Sequence, residues 1–192
     1  MPSSSLPDLK ARLREEALAR RDALDPAWRE AASQEMAKRA LALPELRHLQ
    51  PVSGFWPIRS EIDVRILMMA LHERGQALCL PVVAKPAMIF RAWAPGAPLE
   101  RSGFGVGEPP PAAPEVRPAA LLVPLAAFDR RGGRIGYGKA HYDTVIAHLE
   151  RTGPVLTVGV AFSTQEIEAV PLEPHDRLLD IVVTDTATIR RG

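Results

Sequence analysis

The sequence has a single cysteine, almost no net charge and no long apolar run. Because Cys79 is the only cysteine among 192 residues, an intrachain disulfide is impossible, and its apolar neighbours favour a buried, inert thiol over a nucleophile. No stretch approaches the roughly 20 apolar residues of a membrane span, and the first residues lack the layout of a secretory signal. The formal net charge of +1 gives no electrostatic reason to bind nucleic acid. We therefore expect a cytoplasmic protein with no nucleic-acid or membrane partner, and we take it to be a monomer.

Lysine is scarce as well, since only four of the 24 basic residues are lysines. This bias gives slight weight to each lysine that remains, including Lys10 and Lys139. The apolar fraction of 46% and the charged fraction of 24% are ordinary for a globular enzyme. The length fits one domain, which we assign to residues 1–192, with residues 1–6 expected to be disordered.

The first part of the chain has the pattern of two helices. Ser5 can cap the first, which we expect to end near Leu24, because apolar residues recur there at helical spacing. Asp25 and Pro26 suit the start of a second helix that runs to about Leu43. Two amphipathic helices of this kind need a neighbouring surface on which to pack.

The rest of the chain alternates between short apolar runs and helical patterns. Strands are predicted at six runs: 52–56, 77–81, 88–93, 121–124, 155–162 and 181–184. Helices are predicted from a cap at Ser60 and Asp63 to about Gly75, and from Lys139 to Arg151. This alternation is typical of an α/β fold. We expect a single three-layer domain with a mainly parallel central sheet flanked by helices, and with the two N-terminal helices packed on it.

Residues 95–118 interrupt this pattern with seven prolines. A stretch of this length without regular structure is usually a functional loop or a linker. Phe104 and Val106 give it apolar groups to bury, so we interpret it as an ordered excursion from the domain.

A glycine-rich segment carries the strongest chemical signal. Between Asp129 and Asp143 there are four glycines within seven residues, and Arg134 and Lys139 add two cations. Such a loop lets a ligand approach the main chain, and the helix expected to begin near Lys139 would direct free N–H groups and its positive dipole end towards it. The alternative is a glycine-rich turn with solvated basic residues. The combination of cations and a helix start favours a phosphate-binding cradle.

Residues 133–139 also fit the pattern of a P-loop, in which Ser or Thr should follow the lysine. Ala140 stands there instead and offers no ligand atom, and no apolar strand runs directly into Gly133. We therefore interpret the match as accidental. Asp143 is the nearby oxygen ligand for magnesium, although an acidic residue at a helix start equally satisfies the helix dipole.

The same segment, together with Val123, Pro124, Phe128 and Asp129, resembles the signature of the 5-formyltetrahydrofolate cyclo-ligases. The resemblance extends along nearly the whole chain in the same order. Its further parts are Lys10, Leu13 and Arg14; Trp56 and Pro57 with Glu61 to Asp63; Phe104, Gly105, Glu108 and Pro109; and a closing third from Val158 to Thr184 that includes His175, Asp176 and Asp180. Ala140 departs from the glycine usual in the family, and His141 and Thr144 depart from the common tyrosine and arginine.

The resemblance implies ATP and Mg²⁺ as cofactors and 5-formyltetrahydrofolate, with or without a polyglutamate tail, as substrate. The implied reaction forms 5,10-methenyltetrahydrofolate, ADP and phosphate. In it, the formyl oxygen is phosphorylated, and the neighbouring folate nitrogen then closes the ring as phosphate leaves. Such chemistry needs alignment and charge neutralisation rather than a protein nucleophile.

The resemblance also implies roles for particular residues. The nucleotide would be bound by Lys10, Arg14, Arg134, Ile135, Gly136, Tyr137, Gly138, Lys139, Ala140, His141 and Tyr142. The folate would be bound by Trp56, Glu61, Tyr137, Gly138, Lys139, Ala140 and His141. Lys139, Arg134 and Lys10 would act on the transferred phosphoryl group, and Asp143 and Asp180 would hold magnesium.

Each of these roles has a plainer structural alternative. Lys10 and Arg14 fit a solvated helix face, Glu61 fits a first-turn acid beside a cap, and Asp180 fits a local cap or ion pair. The aromatic residues Trp56, Trp93 and Phe104 suit pterin stacking but, taken singly, suit a core better. We assign His175 and Asp176 to a structural turn between prolines.

Two other functions remain compatible with the same features. A sugar-phosphate isomerase on an α/β plan would bind phosphate and ignore ATP. A folate or nucleotide binder that has lost turnover would retain the loop, and Ala140 keeps this alternative open. A nucleic-acid binder is a weaker third, because the basic residues are scattered and balanced by acids.

Overall fold

The computed structural model describes residues 5–84, 87–101 and 107–192. Its helices are α1 (Leu6–Asp22), α2 (Pro26–Leu41), α3 (Arg65–Glu73) and α4 (His141–Thr152). Its strands are β1 (Val52–Ser53), β2 (Leu78–Val83), β3 (Met88–Trp93), β4 (Glu100–Arg101), β5 (Gly107–Glu108), β6 (Ala120–Pro124), β7 (Ala127–Phe128), β8 (Arg134–Ile135), β9 (Leu156–Val160), β10 (Ile181–Val183) and β11 (Thr188–Arg190). No helix within these ranges is long and apolar enough to cross a membrane.

The central sheet confirms the predicted fold class. Its seven strands lie in the order β11-β10-β9-β6-β1-β2-β3. The inner five run parallel, and the edge strands β3 and β11 are antiparallel to their neighbours. The parallel strands are apolar at successive positions, as in Leu121, Leu122 and Val123, because side chains on both faces are buried.

Helices cover both faces of this sheet. Leucines and methionines of α2 and α3 pack in one apolar cluster with Val52, Leu78 and Leu122. Val145, Ile146 and Leu149 of α4 pack in a second cluster on the opposite face. α1 instead lies against the β7–β8 hairpin, where its Ala17 contacts Ala127 and Ile135 in a third, smaller cluster.

The structure corrects two predicted helix starts. α3 begins at Arg65 and not at Ser60, because the Ser60 hydroxyl is occupied by Arg21 and Asp22 and cannot cap the helix. α4 begins at His141 and not at Lys139, because Gly138 and Ala140 have positive φ angles of 87° and 49°.

Five short strands had no prediction. β7 and β8 form a short antiparallel hairpin between the central sheet and the loop that follows, and β11 adds an edge strand after β10. In the proline-rich segment, β4 pairs with β5, and Arg91 on β3 donates to the carbonyls of Pro111 and Ala113. Phe104 and Val106, expected to be buried there, lie outside the described residues.

The buried carboxylate of Asp129 closes the turn between β7 and β8. One oxygen accepts the N–H groups of Arg131 and Gly133 at 2.9 Å each. The other accepts the N–H of Val170 at 2.8 Å and the guanidinium of Arg131 at 2.6 Å. Burial alone would raise the pKa of Asp129, but these hydrogen bonds outweigh it and hold the pKa below its usual value.

We expect Asp129→Asn to lower the free energy of unfolding by about 2–4 kcal/mol at neutral pH, because it removes a charge that several buried donors share. A group with a lowered pKa stabilises the fold above the ordinary aspartate pKa of about 3.9, and this contribution is lost as the pH falls through the folded-state value. The difference between the two proteins should therefore shrink towards zero in acid. Chemical denaturation between pH 2.5 and 7 tests this, with the exposed Glu168→Gln as control. A constant difference across that range would contradict it.

Candidate active site

A cleft of about 450 Å³ opens at the carboxyl end of β6. Its walls are the first half of α1, the loop 134–143 and the turn 173–176. The chain continues from β1 to a neighbour on one side of the sheet and from β6 to a neighbour on the other, so strand order reverses between β1 and β6. In open α/β sheets ligands bind beyond the carboxyl ends of the strands at such a point.

Helix α1 presents two cations to the cleft. Lys10 and Arg14 lie one turn apart and therefore on the same face of the helix. The Lys10 ammonium lies 2.7 Å from a Glu173 oxygen and 2.5 Å from an Asp176 oxygen, and Arg14 Nε donates to the Gly136 carbonyl at 2.6 Å. Burial alone would lower the pKa of Lys10, but the two carboxylates outweigh it and raise the pKa. Neither residue therefore lies on a solvated helix face, which was the alternative interpretation of both.

Arg134 is buried beneath the loop and is occupied by protein groups. One terminal nitrogen donates to Asp143 at 2.7 Å, and the other donates to the Arg177 carbonyl. The same Asp143 oxygen accepts the Arg177 N–H at 2.9 Å. Arg134 therefore orients Asp143 from below; it also lines the cleft, and its contact with phosphate stays a prediction.

The four loop glycines divide into two functions. A Cβ on Gly132 would lie 2.4 Å from the Leu179 carbonyl oxygen, and one on Gly133 would lie 2.9 Å from Val170 and 3.0 Å from Asp129, so both are required by packing. Gly136 and Gly138 line the cleft instead. The P-loop match is accidental, as expected, because its first three residues belong to the turn and strand of a hairpin.

The end of the loop passes directly into α4. Lys139 is exposed and lines the cleft beside His141 and Tyr142. Ala140 is the N-cap residue of α4 and makes no side-chain capping bond in the described structure. The first turn of α4 therefore directs its backbone N–H groups and positive dipole end towards the cleft.

Tyr137 connects the loop to Glu61, which follows β1. Its hydroxyl accepts a hydrogen bond from Arg21 at 2.8 Å and lies next to the Glu61 carboxylate. Glu61 also accepts the Ile58 N–H at 2.8 Å and lies before α3, so it is not a first-turn acid. Burial raises the pKa of Glu61, and burial together with the Glu61 charge raises that of Tyr137.

The predicted magnesium ligands are separated in the structure. Asp143 lines the cleft, whereas Asp180 does not: its oxygens accept hydrogen bonds from Thr157 at 2.8 Å and 2.9 Å and from Arg191 at 3.1 Å. This arrangement matches the local pairing that was its alternative. Asp176 lies in the cleft instead, and ligand atoms of Glu173, His175 and Asp176 all lie within 4.8 Å of one another.

The two candidate stacking tryptophans, Trp56 and Trp93, do not line the cleft. Trp56 packs edge-on against Trp93, with ring centroids 6.0 Å apart, and the Arg65 guanidinium lies 5.5 Å from the Trp56 ring. Both indoles pack against the core cluster of α2 and α3. Phe104 lies outside the described residues. A folate contact by Trp56 stays a prediction without support from these contacts.

Sequence reasoning missed three residues in or near the cleft. It assigned no role to Arg21 or Glu173, and it assigned Asp176 only to a turn. Asp176 does close a turn, by accepting the Glu173 N–H at 2.8 Å, but it also binds Lys10. The only available signal was the position of His175 and Asp176 in the family pattern.

The chain is similar to known proteins along most of its length. The model of the 5-formyltetrahydrofolate cyclo-ligase family matches residues 8–185. The 5-formyltetrahydrofolate cyclo-ligases of Haemophilus influenzae and Escherichia coli are 30% identical to it over 160 and 174 residues, which cover 79% and 86% of this chain and 85% and 94% of those proteins. The structure of 5,10-methenyltetrahydrofolate synthetase from Aquifex aeolicus is 30% identical, with a TM-score of 0.83 over 95% of this chain and 93% of that one. A synthetase from Mycoplasma pneumoniae, 22% identical with a TM-score of 0.73, shares the fold.

We expect Ala140→Gly to raise the free energy of unfolding by about 0.5–1 kcal/mol. A left-handed conformation costs an alanine roughly 1–2 kcal/mol, and the greater freedom of glycine in the unfolded chain offsets part of the gain. Denaturant titration measures the change. The matched control is Ala147→Gly in the interior of α4, which should lower stability by about 0.5–1 kcal/mol. Equal losses in both variants would contradict the strain at Ala140.

Proposed function

The chain belongs to the 5-formyltetrahydrofolate cyclo-ligase family, and on this premise we propose that it converts 5-formyltetrahydrofolate to 5,10-methenyltetrahydrofolate with ATP and Mg²⁺, releasing ADP and phosphate. The observation that carries the proposal is the composition of the cleft. The loop with the family pattern forms one wall, and Lys10 and Arg14 approach from the other. The cytoplasmic location and the monomeric state stay predictions.

The cleft suits the triphosphate of ATP. Lys10, Arg14 and Lys139 lie around it, and the first turn of α4 adds backbone donors and a positive dipole end. Gly136 and Gly138 leave the main chain accessible between these cations. In phosphoryl transfer, positioning and neutralisation of the charge on the transferred group are the main tasks of the protein.

The same cleft suits magnesium, which prefers carboxylate oxygens and usually retains water and phosphate ligands. Asp143, Glu173 and Asp176 present such oxygens to the cleft. Arg134 and the Arg177 N–H hold one oxygen of Asp143 and leave the other available. When bound, the ion would neutralise charge on the phosphates. We therefore replace Asp180 with Asp176 in the proposed ligand set.

The folate would lie on the side of Tyr137 and Glu61. Tyr137 lines the cleft, and behind it the Glu61 carboxylate lies next to the Tyr137 hydroxyl and accepts the Ile58 N–H. A carboxylate oxygen with remaining acceptor capacity suits the N–H groups of a pterin. This arrangement places a hydrogen-bond acceptor beside a region of positive charge, as a folate and a triphosphate together require.

The chemistry itself needs no nucleophile from the protein. The γ-phosphoryl group of ATP passes to the formyl oxygen, and the folate N10 then attacks the formyl carbon, so that the C–O bond breaks and phosphate leaves. Lys10 and Lys139 would stabilise the charge on the transferred group. Burial raises the pKa of Cys79 to about 12, which is consistent with a thiol that takes no part.

The direct test is optical. Purified protein is mixed with 5-formyltetrahydrofolate and Mg²⁺, with and without ATP, and the near-ultraviolet absorbance of the conjugated methenyl product is followed. An increase that requires both ATP and Mg²⁺ supports the proposal. Folded protein that binds ATP without any increase would instead support the binder that has lost turnover, and Ala140→Gly would then be assayed for recovery.

We expect Lys139→Ala to abolish turnover and to leave the protein folded, because Lys139 is exposed at the cleft and its charge would be missing from the phosphate contacts. Initial rates and thermal melts measure the two effects. Lys38→Ala, an exposed lysine on α2, is the matched control and should keep full activity. An active Lys139→Ala protein would remove the phosphate-loop assignment.

The two candidate metal residues can be separated by their magnesium requirement. We expect Asp176→Asn to raise the Mg²⁺ concentration for half-maximal rate by about tenfold or more, since a ligand oxygen loses its charge. Asp180→Asn should lower the melting temperature through its lost bonds to Thr157 and Arg191 while the Mg²⁺ requirement of the folded protein stays unchanged. The opposite pattern would restore Asp180 as the ligand.

A further inference from the structure

The largest fully buried side chain among the described residues is a charged one. Arg21, in the last turn of α1, is 1% exposed. A guanidinium is costly to remove from water and stays buried only where other groups hold it. Its Nε donates to the Ser60 hydroxyl at 2.9 Å, and one terminal nitrogen donates to the Tyr137 hydroxyl at 2.8 Å. The other terminal nitrogen has no hydrogen-bond partner within the described structure and lies 3.8 Å from an Asp22 oxygen.

These bonds join three segments that meet behind the folate side of the cleft. Arg21 comes from α1, Ser60 and Glu61 follow β1, and Tyr137 belongs to the loop after β8. The Tyr137 hydroxyl accepts from Arg21, and it lies close enough to Glu61 that this carboxylate adds to burial in raising the pKa of Tyr137. The guanidinium carbon also lies 5.9 Å from the centroid of the Tyr137 ring. The position of that ring therefore depends on Arg21.

The segment that carries Ser60 and Glu61 is strained. Arg59, directly before it, has a φ of 54°, which is unfavourable for a residue with a side chain. Such conformations persist where surrounding contacts impose them and are common near functional sites. Ser60 supplies those contacts by accepting from Arg21 and donating to Asp22. Arg21 thus holds both Tyr137 and the turn that presents Glu61.

A purely structural role explains this buried arginine poorly. Apolar side chains of similar volume commonly replace buried charges at little or no loss of stability. Arg21 instead keeps a buried charge that pairs with Asp22 only at 3.8 Å, and its hydrogen bonds go to a hydroxyl of the cleft wall and to the turn before Glu61. This choice of partners concerns the cleft and not the core.

We propose that Arg21 is a positioning residue for the folate: through Tyr137 and Ser60 it fixes the wall formed by Tyr137 and Glu61, and it does not act on the nucleotide. The inference rests on the proposed function, because it assigns the folate to that wall. A substitution at Arg21 should therefore weaken binding of the folate and leave binding of ATP unchanged.

The test compares Arg21→Met with Arg12→Met, an exposed arginine on the same helix. Steady-state kinetics give KM for each substrate, calorimetry gives the Kd of each, and thermal melts report folding. Loss of a charge-assisted hydrogen bond should raise KM and Kd for 5-formyltetrahydrofolate about tenfold in Arg21→Met, with both values for ATP within about twofold of the wild type. Arg12→Met should change none of them.

Two further variants sharpen the result. Tyr137→Phe removes the hydroxyl through which Arg21 acts, so its effect on the folate KM should not add to that of Arg21→Met in the double variant. Ser60→Ala removes the second partner without touching the cleft wall, and it carries the test should Arg21→Met not fold. A rise of about threefold in the folate KM, with ATP unaffected, is expected for it.

The failures are distinguishable. A folded wild-type chain that neither turns over nor binds 5-formyltetrahydrofolate would overturn the proposed function and this inference together. An active wild type with an unchanged folate KM in folded Arg21→Met and Ser60→Ala would overturn this inference alone. An equal loss of affinity for both substrates, or a loss of activity proportional to the unfolded fraction, would show that Arg21 only stabilises the fold.

Discussion

The buried carboxylate of Asp129 is the constraint on which the cleft depends. Its oxygens accept three backbone N–H groups and the Arg131 guanidinium, and so turn the chain back on itself directly after β7. The turn is tight enough that Gly132 and Gly133 have no room for a side chain beside Leu179 and Val170. Because of this turn, β8 lies against α1, and the loop residues that follow β8 line the cleft. An amide at position 129 would keep one acceptor oxygen and would leave the donors on the other side without an acceptor.

The charges of the cleft are held in place before any ligand binds. Lys10 is paired with Glu173 and Asp176, Arg134 with Asp143, and Arg14 with the Gly136 carbonyl. Groups fixed in this way need little reorganisation when negative charge develops near them, and this is the main source of electrostatic catalysis. The pairing also explains why α1 matters to the site although it lies outside the central sheet. It connects the turn 173–176 to the loop and, through Arg21, to the wall that carries Tyr137.

Much of the fold could be predicted because long elements carry their own pattern. Six apolar runs and four helical stretches were enough for an α/β architecture with a mainly parallel sheet. The hairpin of β7 and β8 and the edge strand β11 have two or three residues each, which is too few for periodicity to appear. The start of α3 was misplaced because Ser60, a good capping residue by type, is bound to Arg21 from another part of the chain. Ala140 has no local feature that announces a positive φ angle.

The sequence alone determined the fold class, the glycine loop with its cations, and the resemblance to a family, since each depends on neighbouring residues or on a fixed order of motifs. Only the tertiary structure decided which charges meet. Lys10 is 166 residues from Asp176, and Arg21 is 116 residues from Tyr137, yet each pair is in hydrogen-bond contact. Asp176 and Asp180 are two aspartates close together in the sequence, but Asp176 lines the cleft and Asp180 is hydrogen-bonded to Thr157. Such partnerships arise from the packing of distant segments, and no local spacing encodes them.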